Sequence, residues 1–576
     1  MKQHQPQEVQ EKDSNNFFPS PQTTTKKDYT AHRSLEVIPA LLTWATLIGM
    51  VVFSIFVPVY VAIFIIAFDI YWIHRTVFIS YYSIKAYRRL KNEQTIDWLA
   101  RCKGVSNLKK YKKEIEDRII ANWEILSHTS SREQKKALST ILSQDKKLIQ
   151  EVEDFNQEDM VPWEDIYHVV MLPTATEEAA SIDPALKALQ ESRYPNEKII
   201  ILLATEERED PVKRKAKVDF LRQKYAGVFR DFIVSTHKVA AGEMKCKASN
   251  TTYAAKKLQK YLDDKGIDYK NVILSNFDCE SVAHPEYFGA LTYAYITEPK
   301  RLQRAYQPIP LYHNNLWETN AFVRVIVTSS SFWHMFQSTR REMVTFSSHA
   351  EAFDTLVKVG FWPVNMISED SIIYWKGYAY FDGDYAVKPL YVPVSMDAVL
   401  AKTYWKTIVN QYKQKRRWAY GIENFPIIMR AIWPNKKIFT SEKLRIAFEM
   451  LEGHHSWATS ALMLALLGWL PLVLGGSDFN ELTLAHNLPV VTRYLMTIAM
   501  CGLIISIALS FLLLPPRPEH LSRKRYIFMF TQWFLVPITA PLLGAMPAIE
   551  SQTRILFKRY FTEFWVTEKV VKKSTK

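Results

Sequence analysis

The chain has 576 residues, a net charge of +14, 48% hydrophobic residues and 23% charged residues. That length leaves room for two or three domains, and the charged fraction excludes wholesale disorder. The 27 prolines and 16 glycines are spread along the chain, which excludes collagen-like or low-complexity architecture.

Four cysteines, Cys102, Cys246, Cys279 and Cys501, are widely spaced with no CxxC, so no disulfide framework or zinc site is expected and a reducing compartment fits. The excess positive charge suits nucleic acid, anionic lipid or an anionic substrate, and its placement must decide among them.

Residues 1–35 are polar and read as a disordered cytosolic tail without the features of a secretory signal. Residues 36–83 are mostly apolar and hold two membrane spans divided at Pro58. Lysines and arginines on both flanks put those flanks in the cytosol. Asp69 inside the pair reads as a structural polar contact beside Tyr71, His74 and Arg75. Residues 86–160 carry helical spacing and lysine runs and read as a helical cytosolic insert.

From 161 to 440 apolar strands alternate with helices, among them Ile166–Leu172, Lys198–Leu203 and Val272–Leu274. That alternation predicts an α/β domain with a mostly parallel sheet covered on both faces. Ligands then bind beyond the carboxyl ends of the strands. Residues 455–548 return to apolar character, with spans at Trp457–Gly475 and Val490–Leu514 and a proline-broken block, Tyr526–Ala548, expected to be re-entrant or a short hairpin. That block returns the basic tail, 549–576, to the cytosol.

Asp278-Cys279-Glu280 follows a strand, where two carboxylates can share a divalent cation or form a solvated turn. Asp382-Gly383-Asp384 reads as a tight hairpin turn between strand-like YAYF and YAVKPLYV. Ser368-Glu369-Asp370 sits at a helix start, where a carboxylate either deprotonates a hydroxyl or serves the helix terminus. In Gln414-Lys415-Arg416-Arg417-Trp418, an arginine fork and an indole face suit a diphosphate and a sugar, or a basic interfacial helix. No nucleic-acid motif appears, and nucleic acid is not an expected partner.

In the order PTATEE, KCKASN, DCE, SED, QKRRW, these pieces resemble the membrane-integrated processive family-2 glycosyltransferases, the group of cellulose, chitin and hyaluronan synthases. The resemblance covers about residues 165–430 by motif and the flanking spans by layout. It implies a GT-A-type nucleotide-sugar-binding domain flanked by transmembrane helices, with Mg2+ or Mn2+ as cofactor.

By position it implies that Pro173, Thr174, Glu177, Lys245 and Asn250 lie at the donor, and that Asp278 and Glu280 hold the metal. Asp370, next to Glu369, is the implied general base, and Gln414, Arg417 and Trp418 cradle the diphosphate and acceptor. Phe564–Lys569 resembles a gating loop acting through Thr567 or Lys569. The second strand departs from the pattern: Ala204 and Thr205 stand where aspartates are usual, with Glu206 able to reach in their place.

The implied activity is inverting, metal-dependent transfer from a nucleotide-diphospho-sugar to a growing glycan, with a cytosolic catalytic domain at a bacterial-type inner membrane. Single addition to a lipid-linked acceptor, or a non-catalytic membrane scaffold, are the alternatives. The sugar, the processivity and any accessory export partner are not readable from the residues.

Overall fold

The computed structural model of the chain describes residues 25–562. Eight strands form the centre: β1 (Tyr167–Pro173), β2 (Ile199–Glu206), β3 (Asp231–His237), β4 (Val272–Asn276), β5 (Val282–Ala283), β6 (Arg304–Leu311), β7 (Ala350–Ala352) and β8 (Ala386–Ser395). They make one sheet in the order β3-β2-β1-β4-β7-β6-β8-β5.

The β3-β2-β1-β4 half is parallel, with Val170 opposite Ile201 and Val169 opposite Leu274. The other half mixes directions: β7 runs antiparallel to β4 and β6, whereas β8 runs parallel to β6. Prolines in β6 and β8 cannot donate to the ladder, and the register slips between Pro308 and Ile309.

β1 and β2 are unbroken apolar runs because both faces are covered. Val170, Leu172, Ile201 and Leu203 pack into one core layer, and Val169, Met171, Ile200 and Leu202 into the other. The helices in chain order before and within this domain are α1 (Lys26–Phe56), α2 (Pro58–Glu93), α3 (Trp98–Val105), α4 (Leu108–His128), α5 (Arg132–Glu153), α6 (Ala179–Gln190), α7 (Pro211–Lys224), α8 (Lys247–Lys265) and α9 (Tyr287–Ile296).

They continue with α10 (Ala321–Gln337), α11 (Phe353–Val359), α12 (Glu369–Tyr380), α13 (Tyr404–Ala419) and α14 (Asn424–Ile432). The apolar C-terminal part holds α15 (Thr440–Ala465), α16 (Leu470–Leu474), α17 (Gly476–Asn480), α18 (Thr483–Leu512), α19 (Arg525–Thr531), α20 (Val536–Ala540) and α21 (Met546–Leu556).

Among the described residues four helical runs are long and apolar enough to cross a membrane: α1, α2, α18 and the run Arg525–Leu556. The pair made by α15 and Leu467–Leu474 passes the same length and apolarity together but is bent by 54°, as in a broken span or a re-entrant loop. The chain breaks at Val57, ahead of Pro58, where proline starts α2.

The run Arg525–Leu556 touches the α/β domain near both ends. Arg525 donates to the Trp317 carbonyl at 3.4 Å, and Ser551 donates to the Arg416 carbonyl at 2.7 Å. Arg33 of α1 donates to the Ile555 carbonyl at 2.8 Å, so the start of α1 lies beside the end of α21.

Three expectations need correction. The tail expected over 1–35 is helical from Lys26, where Thr25 caps α1 by accepting from the Asp28 N–H. YAYF is the end of α12 rather than a strand, so Asp382-Gly383 turns a helix into β8 and not one strand into another. The turn is left-handed, with φ of 54° at Asp382 and 93° at Gly383. Lastly, α21 carries helix to Leu556, past the boundary expected at 548.

Candidate active site

Strands β3-β2-β1-β4 change direction of growth between β1 and β4, and a cavity of about 1540 Å³ opens beyond their carboxyl ends. Pro173 and Thr174 close β1, and Glu206 closes β2; all three line the cavity, as does Glu177. The Glu177 carboxylate folds back on its own turn, accepting from the Ala175 and Thr176 N–H groups at 2.7 and 3.0 Å. Lys217 of α7 fixes this turn from beneath. Its buried ammonium donates to the Glu177 carbonyl at 3.1 Å and pairs with Glu209 at 2.7 Å. No spacing in the sequence pointed to Lys217.

Glu206 stands at the end of β2, where it accepts from Arg208 at 3.0 Å. Burial pushes its carboxyl above the usual range despite that arginine. Asn250 lies on the first turns of α8 and donates to the Ala204 carbonyl at 2.9 Å, tying the helix to β2.

Lys245, expected beside the donor, is exposed and does not line the cavity. Lys247 takes that place because α8 begins there, which puts it three residues before Asn250 on one helix face. Its ammonium lies 2.8 Å from Asp278, 3.5 Å from Asp370 and 3.7 Å from Glu369. Burial works against that charge, but the three carboxylates overcome it and hold the lysine above its ordinary range.

Asp278 also accepts from the Ser347 hydroxyl at 2.8 Å. Glu280 lines the same cavity, and its carboxylate accepts a weak bond from the Cys279 thiol at 3.4 Å. Among the described residues no group of three His, Cys, Asp or Glu side chains converges as a cage. Two carboxylates at one cavity mouth still fit a hard cation that takes its remaining ligands from phosphate and water. The Asp382–Asp384 pair is otherwise engaged, with Lys437 on Asp382 at 2.8 Å.

Glu369 and Asp370 open α12. Burial first, then the neighbouring Asp370, pushes the Glu369 carboxyl above the usual range, against the pull of Lys247 and Arg417. His349 approaches Asp370 at 3.8 Å, and burial lowers its imidazole below the usual range.

Gln414, Arg417 and Trp418 recur three and four residues apart on α13 and all reach the cavity. Arg416 points elsewhere, to Glu550 at 2.6 Å. Lys415 sits 4.4 Å above the Trp418 ring and donates to Ser330 at 2.8 Å. The cavity continues past Trp418 to Trp72 and Arg75 of α2, Trp457 and Ser460 of α15, and Thr539 and Gly544 of the last apolar run. Thr567 and Lys569 lie outside the described residues. The segment leading toward them is anchored by Phe561, which packs edge-on against Tyr420 at 4.6 Å.

No protein-family model matches the chain. It is 28% identical over 142 residues to the poly-beta-1,6-N-acetyl-D-glucosamine synthase of Staphylococcus epidermidis, a match covering 25% of this chain and 31% of that relative. The match therefore spans about a third of the relative's length. Among solved structures, the mannosyltransferase PcManGT from Pyrobaculum calidifontis in complex with GDP-Man and Mn2+ aligns over 58% of this chain and 86% of its own, at 15% identity and a TM-score of 0.36. S. aureus TarS 1-349 in complex with UDP-GlcNAc aligns over 59% and 90%, at 12% identity and a TM-score of 0.31.

Proposed function

We propose that this chain is a membrane glycosyltransferase that moves a sugar, with inversion, from a nucleotide-diphospho-sugar to a glycan acceptor at the cytosolic face of a bacterial-type inner membrane. One observation carries the reading: Asp278, Glu280, Asp370, Arg417 and Trp418 come from three distant segments and line one cavity beyond the β1–β4 switch point. The partial sequence similarity to a polysaccharide synthase supports it.

In this mechanism the Thr174–Glu177 turn, Glu206 and Asn250 receive the nucleotide. Asp278 and Glu280 would hold a divalent cation, which when bound would neutralise charge on the diphosphate. Arg417 presents its planar fork to the same leaving group. Trp418 offers a flat apolar platform for the acceptor sugar. Asp370 takes the proton from the acceptor hydroxyl as that oxygen attacks the anomeric carbon. Attack from the face opposite the leaving group inverts that carbon and needs no second carboxylate as nucleophile.

The cavity's run between α2, α15 and the last apolar segment gives a growing glycan a route toward the membrane helices, which favours extension with export over a single addition. The contact of Arg33 with Ile555 supports the start of α1 and the end of α21 lying on the same side, taken here as cytosolic.

Metal dependence tests the donor half directly. Nucleoside-diphosphate binding to purified protein in lipid should strengthen with Mn2+, and Glu280→Ala should lose at least about tenfold of that gain. Asp382→Ala should keep it. Equal metal enhancement in wild type and Glu280→Ala would show that the acidic pair is misassigned.

A further inference from the structure

The turn that carries Asp370 is held from outside its own helix. One carboxylate oxygen of Glu423 accepts from the Ile367 N–H at 3.2 Å, the Ser368 N–H at 3.1 Å and the Ser368 hydroxyl at 2.7 Å. Asn424 stands beside it, with its side-chain oxygen 2.8 Å from the Ser368 hydroxyl and its amide donating to Ser371 at 2.9 Å. From the opposite side the Thr345 hydroxyl donates to the Asp370 carbonyl at 2.6 Å. The backbone before and at Asp370 is thus fixed by two separate segments, Glu423–Asn424 and Thr345.

Glu423 ends the 3-10 turn Tyr420–Glu423, which continues directly from the end of α13, where Arg417 and Trp418 lie. The two segments nearly touch, since a Cβ built on Gly421 would stand 3.9 Å from the Ser368 Cβ. The clamp therefore joins the element that would hold diphosphate and acceptor to the turn that would hold the base.

Its chemistry is costly for a purely structural tie. Among the described residues no lysine, arginine or histidine pairs with Glu423 within 4.0 Å, and burial raises its carboxyl to about 7. A carboxylate enclosed without a counter-ion costs stability, and hydrogen bonds to the charged form are the stronger ones. Departures of this kind from the cheapest packing concentrate where function requires them.

We infer that Glu423 is a positioning residue for the general base: it ties the Ile367–Asp370 turn to the segment of Arg417 and Trp418, so that the Asp370 carboxylate keeps its place relative to both. The inference rests on the role proposed above for Asp370.

The test uses full-length protein in lipid nanodiscs, with Glu423→Ala and Glu423→Gln. Hydrogen–deuterium exchange is followed without substrate, and transfer is followed with a donor that the wild type turns over. In Glu423→Ala the Ile367 and Ser368 amides should exchange about tenfold faster while β1 and β4 are unchanged. Its kcat should fall at least about tenfold with the donor KM within about twofold. Glu423→Gln, whose amide oxygen still accepts, should recover part of kcat.

An unchanged kcat overturns the inference, and so does an equal rise of exchange in β1 and β4. If Glu423→Ala does not fold, Glu423→Asp replaces it, because the charge remains and the oxygen is withdrawn by one methylene. Wild-type kcat in that variant overturns the inference equally. A wild type that transfers no sugar from any donor removes the role of Asp370 instead, and the exchange data then decide the clamp alone.

Discussion

Lys247 stands among Asp278, Glu369 and Asp370 and offsets a cluster that would otherwise repel itself. The sequence pattern pointed to Lys245, two residues earlier. The choice depends on where α8 starts, and a start at Lys247, with Cys246 as the N-cap, puts Lys247 in phase with Asn250. That three-residue spacing was the available signal.

Other parts of the site were legible because their chemistry is local. Asp278 and Glu280 follow a strand, Glu369 and Asp370 open a helix, and Gln414, Arg417 and Trp418 share a helix face. Lys217 and Glu423 were not legible, since each acts on a turn far away in sequence through contacts that only the fold creates.

Away from the site, Glu351 on β7 is 1% exposed, and burial pushes its carboxyl up to about 8, more than Tyr385 and Lys376 can lower it. Its proton is held more tightly in the folded chain than in the unfolded one, where the ordinary value is 4.5. The stability it contributes is therefore full below that value and is lost as pH rises through about 8. Glu351→Gln carries no such dependence. The wild-type Tm should fall relative to the variant between about pH 5 and about pH 8.5. Parallel Tm curves for the two proteins would refute this assignment.

At the scale of elements, the insert between α2 and β1 docks through a close helix approach. A Cβ built on Gly289 of α9 would stand 2.9 Å from the Trp98 Cβ and 3.2 Å from the Leu99 nitrogen of α3. Glu286 caps the same contact by accepting from the Trp98 N–H at 3.1 Å. Gly289→Val forces the helices apart at a cost of about 1–3 kcal/mol. Limited proteolysis should then cut around residues 94–107 faster than in the wild type, with β1–β4 still protected. An unchanged cleavage pattern would mean that α3 is not held by this contact.

The α/β alternation was readable in the sequence because strands buried on both faces are continuous apolar runs. The antiparallel insertion of β7 between β4 and β6 was not. β7 is a three-residue strand, too short to carry a period, and its place is set by pairing on both sides.

At the scale of the molecule, two chemistries are segregated along the chain. Long helices at both ends expose large apolar side chains, with Phe56 75%, Tyr60 72% and Ile504 64% exposed. Exposed apolar surface of that extent suits contact with lipid or with another protein. Between these helices the mixed sheet faces the cavity with carboxylates, lysine and arginine. A third helix of membrane length, α18, packs on α2, and Gly502 allows it: a Cβ there would stand 2.1 Å from the Thr76 Cγ2. One cavity thus has polar and charged groups at one end and reaches long apolar helices at the other, which suits the proposed transfer with export.

The measurement that tests this account most directly is nucleoside-diphosphate release. Purified protein in lipid would be supplied with Mg2+ or Mn2+ and a panel of sugar nucleotides, beside Asp370→Asn. The account predicts release with one donor in the wild type. In the variant it predicts release lowered by at least about a hundredfold, with nucleotide still bound. Full release by Asp370→Asn would contradict it, because the carboxylate at the head of α12 would then not be the base.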